Sequence, residues 1–224
     1  MKLKVYGNNG SEEENNTCFK LDNYLIDVPR NIFKAFDKQE LNNIEKIFLT
    51  HVHPDHYGGF NDILLRIPIN KKIKLYTAND IASSVRKMTD PILYFIENDG
   101  NIRHYRFEDK IDFVELKENE YLIENEYKIE IKKTKHFVPT IALKITHNGK
   151  TFAYSSDTIF DPELIGFLAD ADFIVHEASG GVGHTDIKNL ESLSDSFKEK
   201  LYIAHFPKNI QTSLKKLERK IYTI

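Results

Sequence analysis

Apolar and polar residues alternate along many short stretches of the chain, as expected of half-buried β-strands. The clearest case is Tyr127-Lys128-Ile129-Glu130-Ile131, within a region (residues 102–137) where this alternation prevails. Further strands are predicted at residues 3–7, 17–21, 24–28, 46–50, 73–77, 141–146, 151–155, 172–176 and 201–204. Asn148-Gly149 separates two of them and predicts a tight hairpin turn.

Apolar residues three and four positions apart predict helices between these strands. Phe60, Ile63, Leu64 and Ile67 show this spacing, and Pro91 would begin another helix. Helices are predicted near residues 31–40, 60–67, 80–88, 92–97, 162–168 and 212–219. Strands and helices mixed in this way in both halves indicate a layered α/β (α+β) sandwich. No repeat or linker divides residues 1–224, so we expect a single domain.

The composition is that of an ordinary globular protein, with 41% hydrophobic and 29% charged residues in 224. No apolar run approaches the ~20 residues that a membrane span needs. The N-terminal residues become polar too soon for a signal peptide, so we expect a cytoplasmic protein that does not contact a membrane. The single cysteine, Cys18, permits no internal disulfide and no zinc site built from cysteines.

The net charge of −3 argues against a general nucleic-acid-binding protein, which usually presents a basic face to the phosphates. Two basic stretches occur, at residues 71–74 and 131–135. Solvated strand edges explain them better than a binding surface does. A long nucleic acid is therefore not favoured as a partner, whereas a small anion remains a candidate substrate.

The segment that carries the chemistry is Thr50-His51-Val52-His53-Pro54-Asp55-His56-Tyr57-Gly58-Gly59. It places three imidazoles and a carboxylate within six positions, directly after an apolar strand. This ligand set suits zinc, manganese or iron. A histidine-rich surface loop is the alternative, but the density of ligands and their place at a strand end favour a metal site.

The pattern His-x-His-x-Asp-His after a hydrophobic strand resembles the signature of the metallo-β-lactamase superfamily. The resemblance continues in order along the chain with His136, Asp157 and His205, and Asp27 resembles an early carboxylate that supports the ligands. Taken alone, His136 or His205 would more often be an ordinary histidine. The resemblance implies a four-layer αββα sandwich of two sheets flanked by helices.

The resemblance also implies two divalent metal ions, with zinc favoured over manganese or iron. His51, His53 and His136 would hold one ion, Asp55, His56 and His205 the second, and Asp157 would bridge them. Two adjacent cations share a water molecule, lower its pKa and clamp the attacking and leaving oxygens. Asp55 is expected to help orient this nucleophile as well.

A second segment, Phe173-Ile174-Val175-His176-Glu177-Ala178-Ser179 followed by Gly183-His184-Thr185, is similar to ribonuclease Z and its phosphodiesterase relatives. In those enzymes the histidine protonates the leaving oxygen and the glutamate orients it, which gives His184 and Glu177 these roles by implication. Ser179 replaces a threonine, Thr185-Asp186 replaces Ser-Thr, and the two pieces lie closer together than in the family. The simpler alternatives are that Glu177 is a carboxylate at a strand end whose hydrogen bonds are made within the protein, and that His184 is an ordinary histidine in a turn.

Only one hairpin is predicted between His136 and Asp157, which leaves no room for the arm with which ribonuclease Z grips transfer RNA. We therefore expect a phosphodiesterase acting on a small nucleotide phosphodiester, either a cyclic nucleotide or a short RNA or nucleotide end, by attack of a metal-bridged hydroxide. The alternatives are a ribonuclease Z-type RNA 3′-end endonuclease, a hydrolase of lactones, thioesters or amides, and a non-catalytic binding module. Relatives of this branch are often dimers, so a homodimer is also considered.

Overall fold

Two seven-stranded sheets form the framework of the protein in a computed structural model that describes residues 1–10, 14–30, 32–36, 38–97 and 99–224. The first sheet contains β1 (Lys2–Gly7), β2 (Cys18–Leu21), β3 (Tyr24–Ile26), β4 (Lys46–Phe48), β5 (Ile73–Thr77), β8 (Ile111–Glu115) and β16 (Ile221–Thr223). The second contains β9 (Tyr121–Glu124), β10 (Tyr127–Lys133), β11 (Ile141–His147), β12 (Lys150–Tyr154), β13 (Phe173–Glu177), β14 (Leu201–Ala204) and β15 (Lys215–Lys216). A separate hairpin pairs β6 (Tyr94–Ile96) with β7 (Ile102–His104).

Helices are short and connect the strands. They are α1 (Lys38–Asn42), α2 (Pro54–Tyr57), α3 (Phe60–Arg66), α4 (Asn79–Thr89), α5 (Phe107–Lys110), α6 (Pro162–Leu168), α7 (Ile187–Glu191) and α8 (Asp195–Lys198), with 3₁₀ turns at Ile32–Lys34 and Asp90–Ile92. Across the described parts of the chain, none of these helices has the length and apolar character needed to cross a membrane.

Both sheets combine antiparallel and parallel pairing. The first has the order β16-β1-β2-β3-β4-β5-β8 and the second β15-β14-β13-β12-β11-β10-β9. Strands β3, β4, β5 and β8 are parallel to one another, as are β12, β13, β14 and β15. The carboxyl ends of parallel strands meet at one edge of a sheet, where open α/β folds bind ligands.

The second sheet shows why the chain folds into layers. Leu143 and Phe152 point into the core shared by the two sheets. Their neighbours Ala142 and Ala153 point the opposite way, into a second core with Leu164 of α6. Successive residues of a strand face opposite sides, so the sheet is buried on both faces. The order helix–sheet–sheet–helix is the one that the resemblance predicted.

Several predicted elements agree with the structure almost residue for residue, such as β5 and α6. The Asn148-Gly149 turn joins β11 to β12 with φ of 51° and 70°, as a two-residue hairpin loop requires. The helix predicted at 31–40 is a 3₁₀ turn followed by α1, and Asn31 and Asp37 lie outside the described residues.

Two helix predictions are wrong. Residues 92–97 are predicted as a helix beginning at Pro91, but the proline lies within a 3₁₀ turn (Asp90–Ile92), and the aromatic and β-branched residues that follow form β6. Residues 212–219 contain Leu214 and Leu217 at helical spacing, yet the chain forms bends there and the two-residue strand β15. The backbone N–H of Leu217 donates to Ile203 O, so pairing with the sheet overrides the local pattern.

Candidate active site

The histidine-rich segment occupies a strand end, a turn and a single helical turn. Strand β4 ends at Phe48, His51 follows within the buried interior, and His53 precedes α2. Asp55 and His56 lie within α2 and are buried. Pro54 begins this helix, where its missing N–H costs nothing. Pro54 therefore lies where the extended backbone at His53 turns into α2, between the first two histidines and the candidate ligands Asp55 and His56.

Two glycines let this segment sit close to the preceding loop. A side chain at Gly59 would place its Cβ 2.6 Å from Pro29 O and 2.9 Å from Ile32 Cγ2. The Gly59 N–H donates to Val28 O at 2.8 Å. The close approach of two backbone segments explains why Gly58-Gly59 directly follows the candidate ligands.

The side chains predicted as metal ligands converge into two groups that share one carboxylate. In each group the nitrogen and oxygen atoms all lie within 4.8 Å of one another. The first group is His51, His53, His136 and Asp157, and the second is Asp55, His56, Asp157 and His205. The shared position of Asp157 is the geometry that a bridging ligand needs.

Buried polar atoms at the centre lack hydrogen-bond partners among the described residues. They include His51 Nε2, His56 Nε2 and Asp157 Oδ1. A buried polar atom without a partner costs about 1–3 kcal/mol, so such a cluster needs a compensating ligand. Burial, and next the charge of the neighbouring His56, hold the pKa of His51 well below its usual value, which favours the neutral imidazole that binds metal. The residues present therefore fit divalent cations.

Hydrogen bonds outside the cluster fix the direction of the imidazoles. His56 Nδ1 donates to Asp27 Oδ2 at 2.7 Å, which leaves Nε2 facing the centre. The same carboxylate accepts the Thr50 N–H at 2.8 Å. His136 Nδ1 donates to Gly183 O at 2.8 Å and its Nε2 lies 3.7 Å from Asp157 Oδ2. Such outer contacts orient metal ligands and raise their basicity.

The role of Asp27 can be tested with an isosteric change. Asp27→Asn keeps an oxygen for the Thr50 N–H, but its amide cannot accept the proton of His56 Nδ1. We expect the divalent-metal affinity to fall about 10- to 100-fold, measured by titration of metal-free protein. Asp22→Asn is the matched control. Like Asp27 (φ 61°), Asp22 has a positive φ (49°) and accepts a side-chain hydrogen bond, but its donor is Tyr127, away from the site. Equal affinities in the two variants would contradict this role.

Glu177 is a buried carboxylate at the end of β13 that organises the glycine-rich loop after it. It accepts the backbone N–H groups of Thr158 (3.1 Å), Ser179 (2.8 Å) and Thr185 (3.0 Å). It also accepts from His184 Nδ1 at 3.1 Å. The sequence indicated the His184 contact alone; the three backbone donors depend on how the loop folds back.

His184 lies at the edge of the cluster of candidate metal ligands. Its Nδ1 is 3.9 Å from Asp157 Oδ2, and its ring centroid is 5.0 Å from that of His136. Burial lowers the pKa of His184, but the hydrogen bond and charge of Glu177 outweigh this and raise the pKa above its usual value. The imidazole is thus able to carry a proton at the site. Glu177, His184 and His205 also come close enough to form a third ligand group.

The N-terminal loop also borders the site, which sequence reasoning missed. The His205 N–H donates to Asn8 O at 2.7 Å, and the Gly10 N–H donates to Phe206 O. A Cβ at Gly10 would lie 3.2 Å from Ser179 Oγ. Gly10 was the available signal, since a glycine in a loop often marks a close backbone approach.

Comparison with known proteins decides the family. The family model described as "Anti-Pycsar protein Apyc1" matches residues 11–221. The chain belongs to the anti-Pycsar protein Apyc1 family. Among curated members, Apyc1 of Paenibacillus sp. (strain J14) is 26% identical over 183 residues, which is 78% of this chain and 73% of that protein.

The Apyc1-family chain is also similar to a larger protein, the cAMP/cGMP-dependent 3′,5′-cAMP/cGMP phosphodiesterase B of Dictyostelium discoideum. The two are 28% identical over 192 residues, or 75% of this chain and 16% of that protein. This chain therefore spans a small part of that relative's length.

A solved structure supports the fold. The metallo-β-lactamase fold protein YhfI from Bacillus subtilis aligns with a TM-score of 0.70 and 19% identity, covering 92% of this chain and 87% of that one. The predicted metallo-β-lactamase fold is confirmed.

Proposed function

We propose that the chain is a metal-dependent phosphodiesterase that opens a small 3′,5′-cyclic nucleotide to a nucleoside monophosphate. The observation that carries the proposal is the pair of ligand groups sharing Asp157, with the Glu177-supported His184 beside them. Membership of the Apyc1 family and the likeness to phosphodiesterase B support the same activity.

We propose two divalent ions, with zinc first and manganese or iron as alternatives, because the ligands are imidazoles and carboxylates. One ion would take His51, His53 and His136, the other Asp55, His56 and His205, with Asp157 common to both. Such ions neutralise the charge of the phosphodiester and lower the pKa of water toward neutrality. Asp55 would also orient the attacking water by accepting one of its protons in a hydrogen bond.

His184 would supply the proton that the departing ribose oxygen takes up, and the attacking water would release a proton in the same turnover, so that the overall hydrolysis consumes none. Water adds to phosphorus, one P–O bond to the ribose breaks, and the departing ribose oxygen needs a proton to become a hydroxyl. Because Glu177 engages Nδ1 of His184, Nε2 is the atom left to donate. A positioned acid of this kind contributes about 10²- to 10⁴-fold in rate.

The size of the substrate is argued from the chain between His136 and Asp157. The hairpin of β11 and β12 closes with a two-residue turn, so no arm projects from it to hold a folded RNA. The net charge of −3 also disfavours a long polyanion. A cyclic nucleotide therefore suits this chain better than the ribonuclease Z-type alternative does.

A substrate panel tests the proposal against its alternatives. Metal-free protein is reconstituted with zinc, manganese or iron(II) and given purine and pyrimidine 3′,5′-cyclic nucleotides, an RNA with a 3′ extension, a lactone and a thioester. We expect the cyclic nucleotides to be opened, and the activity to disappear on chelation. Cleavage of the lactone, the thioester or the RNA, with the cyclic nucleotides untouched, would overturn the proposal in favour of that alternative.

A further inference from the structure

Phe137 is an exposed aromatic residue directly beside the candidate metal ligands. It follows His136, and 64% of its surface is accessible to solvent. Val182 (83% exposed) and Ile159 (41% exposed) are also apolar and accessible. Each belongs to a segment that carries a site residue, because Val182 precedes His184 by two positions and Ile159 follows Asp157 by two. Three exposed apolar side chains thus lie on the segments that carry the polar residues of the candidate site.

The Phe137 ring rests on the backbone of the glycine-rich loop. A Cβ at Gly183 would lie 2.3 Å from Phe137 Cε2 and 2.6 Å from its Cζ. Only a glycine leaves room for the ring in this position. The ring centroid lies 5.2 Å from that of His136, at an interplanar angle of 56°. One side of the ring is therefore supported by the protein and much of the remainder is open to solvent.

We propose that Phe137 is the stacking platform for the base of the cyclic nucleotide, which rests on the proposed function above. In a cyclic nucleotide the phosphate and the base lie on different sides of the ribose. When the phosphate sits over the polar centre, the base extends to the rim. An uncharged, flat base has little to gain from the charged ligands, but it buries apolar surface against an aromatic ring. Stacking of this kind tolerates any base, because each has a π-face.

The experiment compares a natural substrate with one that lacks the base. Wild type, Phe137→Ala and Phe137→Trp are assayed with a purine 3′,5′-cyclic nucleotide and with methyl riboside 3′,5′-cyclic phosphate. Phe137→Ala is expected to lose about tenfold in kcat/KM for the nucleotide, mainly through KM, and to stay within about twofold of wild type for the base-free diester. Phe137→Trp restores the nucleotide KM. Metal content, measured in parallel, stays the same in all three proteins.

Tyr121→Ala is the matched control, because Tyr121 is an aromatic residue with a similar exposed fraction, 65%. It lies on the edge strand β9 opposite Glu130 of β10. This variant is expected to have the wild-type kcat/KM for both diesters. Equal loss on the two diesters in Phe137→Ala, or no loss on either, would overturn the stacking role and leave the proposed function intact. A wild-type protein that opens neither diester would contradict the proposed function, and the stacking role with it.

Discussion

His184→Ala is expected to slow the opening of a 3′,5′-cyclic nucleotide by about 10²- to 10⁴-fold while the metal content stays unchanged. The ribose alkoxide is a poor leaving group and depends on a proton donor. His184 Nδ1 lies 3.1 Å from Glu177 Oε1 and 3.9 Å from Asp157 Oδ2, which leaves Nε2 as the atom that donates. The measurement is kcat for the variant and the wild type, with metal analysis of both proteins. His104→Ala serves as control, because His104 is an exposed histidine of the β6–β7 hairpin.

A second substrate separates proton donation from other roles of His184. A diester that releases 4-nitrophenolate needs little protonation, so the same variant should cleave it at nearly the wild-type rate. An equal loss on both substrates would assign His184 to substrate placement. A loss of metal would instead make it a ligand, as its proximity to Glu177 and His205 allows.

Asp157→Ala is expected to have the larger effect on the metal centre. It removes the carboxylate that both ligand groups share, so neither ion keeps its full ligand set. Metal ions supply several kcal/mol of transition-state stabilisation, and about 1.4 kcal/mol corresponds to a factor of ten in rate. We expect the activity to fall by about 10³-fold or more and the metal content to drop below that of wild type. Elemental analysis and kcat provide the two measurements.

Asp170→Ala controls for the loss of a carboxylate in the same half of the chain, since the Asp170 side chain is 70% exposed and forms an ion pair with Lys144 away from the site. An ion pair with one exposed partner contributes only about 1 kcal/mol to stability, so this variant should resemble wild type in metal content and activity. Full metal content together with full activity in Asp157→Ala would show that the carboxylate does not bridge the ions.

Most of the fold could be predicted from the sequence, because the patterns that predict its strands and turns are local. Alternating residues locate the strands of the second sheet, and Asn148-Gly149 determines its central hairpin. The failures at 92–97 and 212–219 have a common cause. Both segments are short, and pairing with another strand decided their conformation: β6 pairs with β7 in a local hairpin, and β15 pairs with β14 at the edge of the second sheet. Periodicity over so few residues cannot separate a strand from a helix.

The convergence of the candidate site residues could be predicted from the sequence for a different reason. The ligand types occur in a family order at strand ends, and parallel strands bring their carboxyl ends to one edge. The backbone conformation at the site could not be predicted from the sequence. Asp27, Ser156 and His205 adopt positive φ of 61°, 51° and 49°, which non-glycine residues seldom do. Strained backbone of this kind clusters at functional sites and is imposed by the surrounding structure. No local sequence pattern therefore predicts it.

Anomalous X-ray diffraction at the zinc edge, from crystals of the zinc-loaded protein, would test most directly whether the two ligand groups hold two ions. Two anomalous peaks are expected, one among His51, His53 and His136 and the other among Asp55, His56 and His205, with Asp157 between them. A single peak, or peaks away from Asp157, would contradict the two-metal centre on which the proposed activity depends.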